Sequence, residues 1–493
     1  MRILDPSGVT QQLIESNYPE ATVHNAPDDN GPYDAVMLYA DLDNKCDPAE
    51  WITGFSAHVR KPGGRIYVSL PEGRINNRTT TGRQRAFRGI DIADLLLQHG
   101  HLEEFGIDDE GYISACIEPF NKAQEIAIWT GFTIGPWHPN DILTKGMGGS
   151  ETAAWRLAET LSDRGNKVTL YGQFSMQGAM KNVILKDYRT FDPTFHRDIL
   201  ITFRNAEMFD MKVNVDTAML WLEDVAGAEG LNDKRLKNID YICGVSNWHR
   251  NNILEHYPYC PKHKVIASRN GIVHEFFEGD NPEREKRVIF SSSPDRGLDI
   301  VLECWPEIVK KVPDATLYHT YGPWYDIVAK HNSGIKAHRD RIAELDKLDS
   351  VHGIKGMPQD ELAMLMRSSL VWVAPSYNSP STPWGKAHID TKGIKFDETS
   401  CISAMEAQAA GCYVVCGNWG ALSETVQTGA KLDGDPMSDE WRQSFITEVV
   451  LGLTDPATQE KAQKEGPEKM AGNDWHEVGT QLEKLAKLRK INA

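Results

Sequence analysis

The sequence lacks long apolar runs, since no segment of its 493 residues approaches the roughly 18 consecutive apolar residues of a membrane-spanning helix. Its eight cysteines include no CxxC pair, and Cys412 and Cys416 lie in the apolar run AGCYVVCG, which predicts a buried strand rather than a zinc site. The start, MRILDPSGVTQQL, has neither the basic region nor the apolar stretch of an export signal. We therefore expect a cytoplasmic chain with reduced thiols.

Positive charge is also scarce. The chain has 53 Lys and Arg against 70 Asp and Glu, and the net charge of −17 argues against indiscriminate binding of nucleic acid. A hydrophobic fraction of 40% with 13 Trp is typical of a packed globular enzyme. At about 150 residues per domain, the length predicts roughly three folding units.

Short apolar runs alternate with helical patterns beyond residue 120, which predicts α/β domains with doubly wound parallel sheets. One series of strand candidates is EIAIWTG, KVTLYG, DILITF, TAMLWL and YICGVS, and a second is RVIFSSS, ATLYHTYG, LVWVAPS and CYVVCG. The polar stretch EGDNPEREK between the two series has the composition of a linker. We predict an accessory domain at 1–122, two α/β domains at 123–280 and 281–470, and a C-terminal helix at 471–493 that packs back across the domains.

Two glutamates, Glu398 and Glu406, stand seven residues apart in FDETSCISAMEAQAAGCYVVCGNWGALSETV. A helix that opens just after Glu398 would point its first backbone amides at an anion such as a diphosphate. Those amides belong to Ser400, Cys401 and Ile402. Glu406 could then accept hydrogen bonds from ribose hydroxyls, while Glu398 faces the hydroxyls of a transferred group. Taken alone, such a spacing is more often that of solvated helix residues.

Six pieces of sequence occur in an order that resembles the retaining glycosyltransferases of the GT-B fold, including glycogen-synthase-like and mannosyltransferase-like enzymes. They are GMGGSETAAWRLAETLSDRGNKVTLYG, GVSNWHRNNI, RNGI, SSSPDRGLDIVLECWPEIVKKVPDATLYHTYG, HGIKGMPQDELAMLMRSS and the segment with the paired glutamates. The resemblance covers most of residues 126–426 and implies two Rossmann-like domains facing a cleft. It also implies a UDP- or GDP-linked sugar as donor substrate, retention of configuration and no required metal or other cofactor.

The resemblance assigns roles to individual residues. Arg296 falls where the family keeps a basic residue against the donor diphosphate, although Ser291 replaces a second basic residue five positions earlier. The alternative for Arg296 is a surface salt bridge to Asp295 or Asp299. The catalytic candidates are Glu398, Arg296, Glu223 and Asp224. The donor-binding candidates are Gly148, Gly149, Ser292, Ile354, Lys355, Ser400, Cys401, Ile402 and Glu406.

Three of these assignments carry local expectations. In GMGGSE, we expect Gly146, Gly148 and Gly149 to allow positive φ and close backbone approach, with Ser150 capping the next helix; an ordinary tight turn is the alternative. HGIKG resembles a loop whose backbone contacts the nucleobase. Related enzymes commonly carry His-Asp where this chain has Glu223 and Asp224, so Glu223 either recognises the sugar differently or is merely exposed.

The N-terminal string HVRKPGGRIYVSLPEG resembles a late strand of class I methyltransferases. A GxGxG loop for S-adenosylmethionine is absent near the start, where the chain has DPSG. We therefore expect residues 1–122 to form a degenerate, noncatalytic methyltransferase-like domain.

The same region holds a basic segment, residues 60–88, with eight Lys and Arg against one acid. One hypothesis is that it docks a polyanion, such as DNA carrying a hydroxylated base that receives the sugar. The contacts would come from Arg74, Arg78, Arg83, Arg85 and Arg88. The alternative is a solvated basic face.

Other acceptors and functions remain open. A glycan or envelope-lipid acceptor is the family's commonest use, and the terminal WHEVGTQLEKLAKLRKI could rest on a membrane surface or pack against the domains. The insertion at 377–395 could select the acceptor, close as a lid or be a surface excursion. A noncatalytic protein that binds nucleotide sugars or nucleic acid is a further alternative.

Overall fold

The computed structural model describes residues 123–133, 135–225, 229–279, 282–321, 324–330, 332–375 and 397–492, together with six strands before residue 120. Two segments of interest lie outside these residues: the insertion at 377–395, and the basic segment apart from the stretch that begins at Arg65. The five arginines predicted to contact DNA, Arg74, Arg78, Arg83, Arg85 and Arg88, lie outside the described residues.

The described strands follow the apolar runs of the sequence. They are β1 (Arg2–Leu4), β2 (Thr22–His24), β3 (Ala35–Tyr39), β4 (Arg65–Pro71), β5 (Gly100–Ile107), β6 (Tyr112–Pro119), β7 (Glu125–Gly131), β8 (Lys167–Gly172), β9 (Gly178–Met180), β10 (Val183–Asp187), β11 (Arg197–Phe203), β12 (Val215–Leu222), β13 (Tyr241–Gly244), β14 (Val265–Ala267), β15 (Glu285–Phe290), β16 (Thr316–Tyr321), β17 (Val351–Lys355), β18 (Ser369–Ala374), β19 (Tyr413–Gly417) and β20 (Ala430–Leu432).

The described helices are concentrated in the second half of the chain. They are α1 (Gly149–Asp163), α2 (Asp233–Leu236), α3 (Asn247–His256), α4 (Leu298–Lys311), α5 (Trp324–Ala329), α6 (Ser333–Leu345), α7 (Gln359–Arg367), α8 (Ile402–Ala409), α9 (Leu422–Thr425), α10 (Asp439–Thr454), α11 (Pro456–Met470) and α12 (Trp475–Asn492). Short 3-10 turns occur at Pro139–Leu143, Tyr188–Thr190, Glu207–Asp210, Lys262–Lys264, His274–Phe277 and Pro294–Arg296. Among the helices of the described residues, none combines the length and apolarity needed to cross a membrane.

The chain divides into two compact units, Met1–Pro136 with Ala158–Leu200, and Trp137–Leu157 with Ile201–Ala493. In the first unit, the N-terminal strands form a sheet in the order β2-β1-β3-β4-β6-β5, parallel as far as β4 and antiparallel at β6 and β5. Strands β7, β8 and β10 of this unit are parallel, with β9 antiparallel to β10. The methyltransferase-like character of residues 1–122 and the predicted domain limits remain predictions.

In the second unit, β12, β13 and β14 pair in parallel, and a separate parallel sheet has the order β17-β16-β15-β18-β19-β20. Every residue of β18 is buried, as expected for a strand covered on both faces. Val371 and Val373 pack into a core with α4 and α10, whereas Trp372 and Ala374 pack into a core with α8. Because successive side chains of a strand point to opposite faces, this division shows a doubly wound sheet.

The terminal helix α12 contacts the end of β14. The Gln481 side chain donates to the Ala267 carbonyl at 3.0 Å and accepts from the Ser268 hydroxyl at 2.7 Å. Further along α12, Arg489 Nε lies 2.7 Å from Asp240 Oδ1. These contacts join the end of the chain to the part of the second unit that contains β12 to β14.

Candidate functional site

Two hydrogen bonds hold the loop before α8 at Glu398 and Thr399. The Ala421 amide donates to the Glu398 carbonyl at 2.6 Å. Gly420 has φ +55°, and a Cβ at this position would stand 2.6 Å from the same carbonyl oxygen, so the close approach requires glycine. On the other side, the Thr399 hydroxyl donates to the Glu223 carbonyl at 2.6 Å. The backbone at Glu398 is therefore held by contacts within the protein.

The Glu398 carboxylate faces a guanidinium group. Arg296 Nε lies 3.8 Å from Glu398 Oε1, and a guanidinium nitrogen of Arg296 lies 3.4 Å from Asp295 Oδ2. Burial raises the pKa of Glu398, and the charge of Arg296 opposes that rise. The Arg296 side chain is 19% exposed, and Asp299 lies instead 3.4 Å from His338. Arg296 is thus a site-facing cation as well as a partner of Asp295.

Helix α8 begins at Ile402, with Cys401 as its N-cap, rather than directly after Glu398. Amides at the start of a helix carry its positive dipole end. In α8 the Ala404 amide donates to the carbonyl of the N-cap residue Cys401 at 3.1 Å. The Ser403 hydroxyl donates to the Ser291 carbonyl at 3.0 Å, which ties this end of α8 to the segment that carries Arg296. The Ser291 hydroxyl accepts from Trp372 Nε1 at 2.9 Å. Ser291, the position at which the sequence resemblance implies a second basic residue, therefore takes part in a buried hydrogen bond instead.

Glu406 is 5% exposed, and its Oε1 accepts a hydrogen bond of 2.8 Å from Gln359 Nε2. Arg156 in turn donates to Gln359 Oε1 at 2.7 Å. Burial raises the pKa of Glu406 to about 7, while the Gln359 hydrogen bond and the Arg156 charge act in the opposite direction. Sequence reasoning missed Arg156 and Gln359, since residues 203 positions apart carry no local signal of their contact.

Glu223 has both carboxylate oxygens bound within the protein. Its Oε1 accepts from Trp221 Nε1 at 2.6 Å, and its Oε2 accepts from Asn270 Nδ2 at 3.1 Å. Burial of the carboxyl raises the pKa of Glu223 to about 7. The alternative that Glu223 is merely exposed is therefore wrong, because the residue is half-buried and its carboxylate is hydrogen-bonded within the protein. Its neighbour Asp224 is more open, with Oδ2 2.5 Å from Arg204 Nε.

The segment GMGGSE at residues 146–151, called the glycine loop here, meets the segment that follows β17. Gly146 has φ +74°, and a Cβ there would stand 2.6 Å from the Met357 carbonyl oxygen. Neither Gly148 nor Gly149 shares this positive φ, and α1 begins at Gly149. Ser150 consequently lies inside the first turn of α1, so the expectation that it caps the helix is wrong.

The remaining predicted donor-binding residues lie on different elements. Ile354 and Lys355 belong to the edge strand β17 rather than to a loop, and the chain turns after them at Gly356. Ser292 is half-buried between the buried Ser291 and Ser293.

Ser400 lines a cavity of about 460 Å³ whose lining also includes Ser246, Asn247, Arg269 and Glu424. The Glu424 carboxylate there accepts from the Trp248 amide at 2.7 Å.

The geometry brings the Arg296 guanidinium, the N-terminus of α8, the half-buried Glu398 and the buried Glu406 together around α8. Cationic and amide donors suit a diphosphate, whereas carboxylates suit hydroxyl groups. Among the described residues, no group of three or more His, Cys, Asp or Glu side chains could hold a metal ion. The donors and acceptors of this arrangement match those that a phosphorylated, hydroxyl-rich ligand requires.

Comparisons with known proteins concern the family that part of the chain matches and the fold. Residues 274–466 match the family model of the group 1 glycosyl transferases. The structure is similar to sucrose-phosphate synthase from Thermosynechococcus elongatus, with 16% identity, a TM-score of 0.54, and coverage of 75% of this chain and 100% of that chain. It is also similar to a glycosyltransferase from Rickettsia africae, with 12% identity, a TM-score of 0.54, and coverage of 76% of this chain and 100% of that chain. A third similar structure is the catalytic domain of starch synthase IV from Arabidopsis thaliana, bound to ADP and acarbose. It has 9% identity and a TM-score of 0.51, with coverage of 75% of this chain and 99% of that chain. No curated protein matches the sequence.

Proposed function

We propose that this chain, a glycosyltransferase of the GT-B fold with a group 1 domain at residues 274–466, moves a sugar from a nucleoside diphosphate to an acceptor hydroxyl with retention of configuration. The observation that carries the proposal is the placement of Arg296 within 3.8 Å of Glu398 beside the start of α8. A negative leaving group and a positive sugar centre need opposite charges close together, and this pair supplies them.

The proposed reaction places the donor diphosphate against Arg296 and the first amides of α8. As the bond from the anomeric carbon to the phosphate oxygen breaks, these groups stabilise the charge that develops on the diphosphate. The acceptor oxygen forms its bond on the same face of the sugar, and the departing phosphate oxygen takes the acceptor proton. Glu398 accepts hydrogen bonds from the sugar hydroxyls, and Glu406 binds the ribose. Since protein groups carry the leaving-group charge, we propose that no divalent cation is required.

The first test is a screen of UDP- and GDP-linked sugars for release of the nucleoside diphosphate, without acceptor and in the presence of EDTA. We expect slow hydrolysis of one donor that EDTA does not abolish. NMR of the product anomer then tests retention of configuration. Donor binding without release of nucleoside diphosphate from any sugar, with and without added Mg²⁺, would instead indicate a noncatalytic nucleotide-sugar-binding protein.

For the acceptor, we propose DNA bearing hydroxylated bases. The supporting observation is the excess of basic residues at 60–88 in a chain of net charge −17. We expect duplex DNA to bind at low salt and log K to fall linearly with log salt concentration, because phosphate contacts release counterions. A variant with Arg74, Arg78, Arg83, Arg85 and Arg88 changed to Gln should lose most of the binding and flatten the salt slope.

The matched control for that experiment changes five basic residues elsewhere, Lys461, Lys464, Lys469, Lys484 and Lys487, to Gln, which removes the same charge from the C-terminal helices. This control should leave DNA binding nearly unchanged. Absence of DNA binding at low salt would reject the DNA acceptor and favour a glycan or lipid acceptor.

A further inference from the structure

The buried carboxyl of Glu406 receives its hydrogen bond from a residue of another helix. Gln359 is the first residue of α7, and its side-chain amide reaches Glu406 Oε1 at 2.8 Å. Glu406 lies in the middle of α8 and is 5% exposed, so water does not replace this donor freely. A carboxylate in such a place depends on a protein donor for its orientation.

The orientation of the Gln359 amide is itself determined by its neighbours. Arg156, which is 8% exposed, donates to Gln359 Oε1 at 2.7 Å. A guanidinium has only donors and a carboxylate has only acceptors. A primary amide has both, because its oxygen accepts hydrogen bonds and its NH2 group donates them. Gln359 therefore has one orientation that satisfies both neighbours, with its oxygen toward Arg156 and its nitrogen toward Glu406.

The three residues come from three separate segments. Arg156 belongs to α1, which begins within the glycine loop, while Gln359 lies two residues after Met357, against which Gly146 packs. The two hydrogen bonds of the Gln359 side chain thus connect α1, at the glycine loop, with α8.

We propose that Gln359, anchored by Arg156, is a positioning residue that turns Glu406 so that Oε2 is presented to a ribose hydroxyl of the donor nucleotide. This inference rests on the proposed function, because it requires a nucleotide bound at α8. The bond from Gln359 engages Oε1, which leaves Oε2 for the ligand. Loss of the amide would allow the carboxyl to rotate and would weaken ribose binding without altering the contacts of the diphosphate.

The test compares a ribonucleotide with its deoxy forms. Thermal shift first selects UDP or GDP, whichever stabilises the protein more. Calorimetry then gives Kd for that nucleotide and for its 2′-deoxy and 3′-deoxy forms, with wild type, Gln359→Leu and Gln359→Glu. We expect wild type to prefer the ribonucleotide over at least one deoxy form by about tenfold or more, the usual effect of a hydrogen bond to a charged group.

In Gln359→Leu, that preference should fall to about one, because the ribonucleotide binds more weakly while the deoxy form binds as before. Gln359→Glu keeps the shape of the side chain and its contact with Arg156, but it presents an oxygen to Glu406, so it should lose the preference as well. Gln443→Leu, an exposed change of the same type on α10, is the control and should keep the wild-type preference.

The outcomes separate the inference from the proposed function. If wild type binds neither UDP nor GDP, the proposed UDP- or GDP-linked donor is rejected. If wild type prefers the ribonucleotide and the Gln359 variants keep that preference, or weaken both nucleotides equally, the positioning role is overturned while the proposed function stands. Equal binding of ribo and deoxy forms by wild type also overturns the positioning role.

Discussion

Replacing Glu398 by Gln should lower kcat/KM for sugar transfer by about a thousandfold, the upper end of the effect of removing one group that stabilises transition-state charge. The carboxylate lies 3.8 Å from Arg296 and is the acidic partner of that cation in the proposed site. An amide of the same size removes the negative charge beside the developing positive centre and turns an N–H group toward Arg296 or the sugar. Transfer assays at saturating acceptor give the effect on kcat and KM separately.

The loss should occur in a folded protein. Because burial already raises the pKa of Glu398, a neutral side chain is compatible with its surroundings, and the thermal midpoint of Glu398→Gln should not fall. Glu398→Ala should lose transfer at least as severely. Glu361→Gln, an exposed change on α7, is the matched control and should transfer sugar at the wild-type rate. Full activity of Glu398→Gln would refute the assignment of Glu398.

The strands of the α/β region were predictable because their apolar residues form short continuous runs. The predicted runs Glu125–Gly131 and Lys167–Gly172 coincide with β7 and β8, and the run LVWVAPS contains most of β18. In buried parallel strands the local signal and the tertiary environment agree, since both faces require apolar side chains. The edge strand β17 was not predicted, because its sequence VHGIK has polar and glycine residues that it can keep at a half-open edge.

The site was predictable only in part. The sequence indicated Glu398, Arg296 and Glu406, and the structure places all three around α8. It did not indicate Asn270, Gln359 or Arg156, whose contacts depend on the packing of distant segments. It also left Glu223 undecided, because exposure is a property of the assembled fold. Patterns over a few residues predict helices and strands, whereas partners of buried carboxyl groups follow from tertiary packing.

The second large effect concerns stability. Glu406→Gln should raise the thermal midpoint at pH 8 and leave it nearly unchanged at pH 5. Burial raises the pKa of Glu406 from its ordinary value of 4.5 to about 7. Between these two values the folded state holds a proton that the unfolded state has released, so folding becomes less favourable as the pH rises. Fully ionised, the carboxyl costs the folded state about 3 kcal/mol by this difference in pKa.

Glutamine at position 406 does not ionise, and it keeps an oxygen that can accept the hydrogen bond from Gln359. At pH 8 the folded variant therefore does not carry the free-energy cost of an ionised buried carboxyl. Thermal midpoints at pH 5 and pH 8 measure the effect for wild type, Glu406→Gln and the exposed control Glu361→Gln. Glu361→Gln should match wild type at both pH values. An equal shift of Glu406→Gln at both pH values would show that its effect arises from packing rather than from the ionisation of Glu406.

The same variant should bind the donor nucleotide more weakly at pH 8, since a neutral amide accepts a ribose hydroxyl less strongly than a carboxylate does. Stability and affinity thus change in opposite directions in one substitution. A defect in folding would lower both, and an exposed residue would change neither. Higher stability together with weaker nucleotide binding is therefore the result expected of a buried carboxyl group that binds the nucleotide. Lower stability of Glu406→Gln at pH 8 would exclude this role for Glu406.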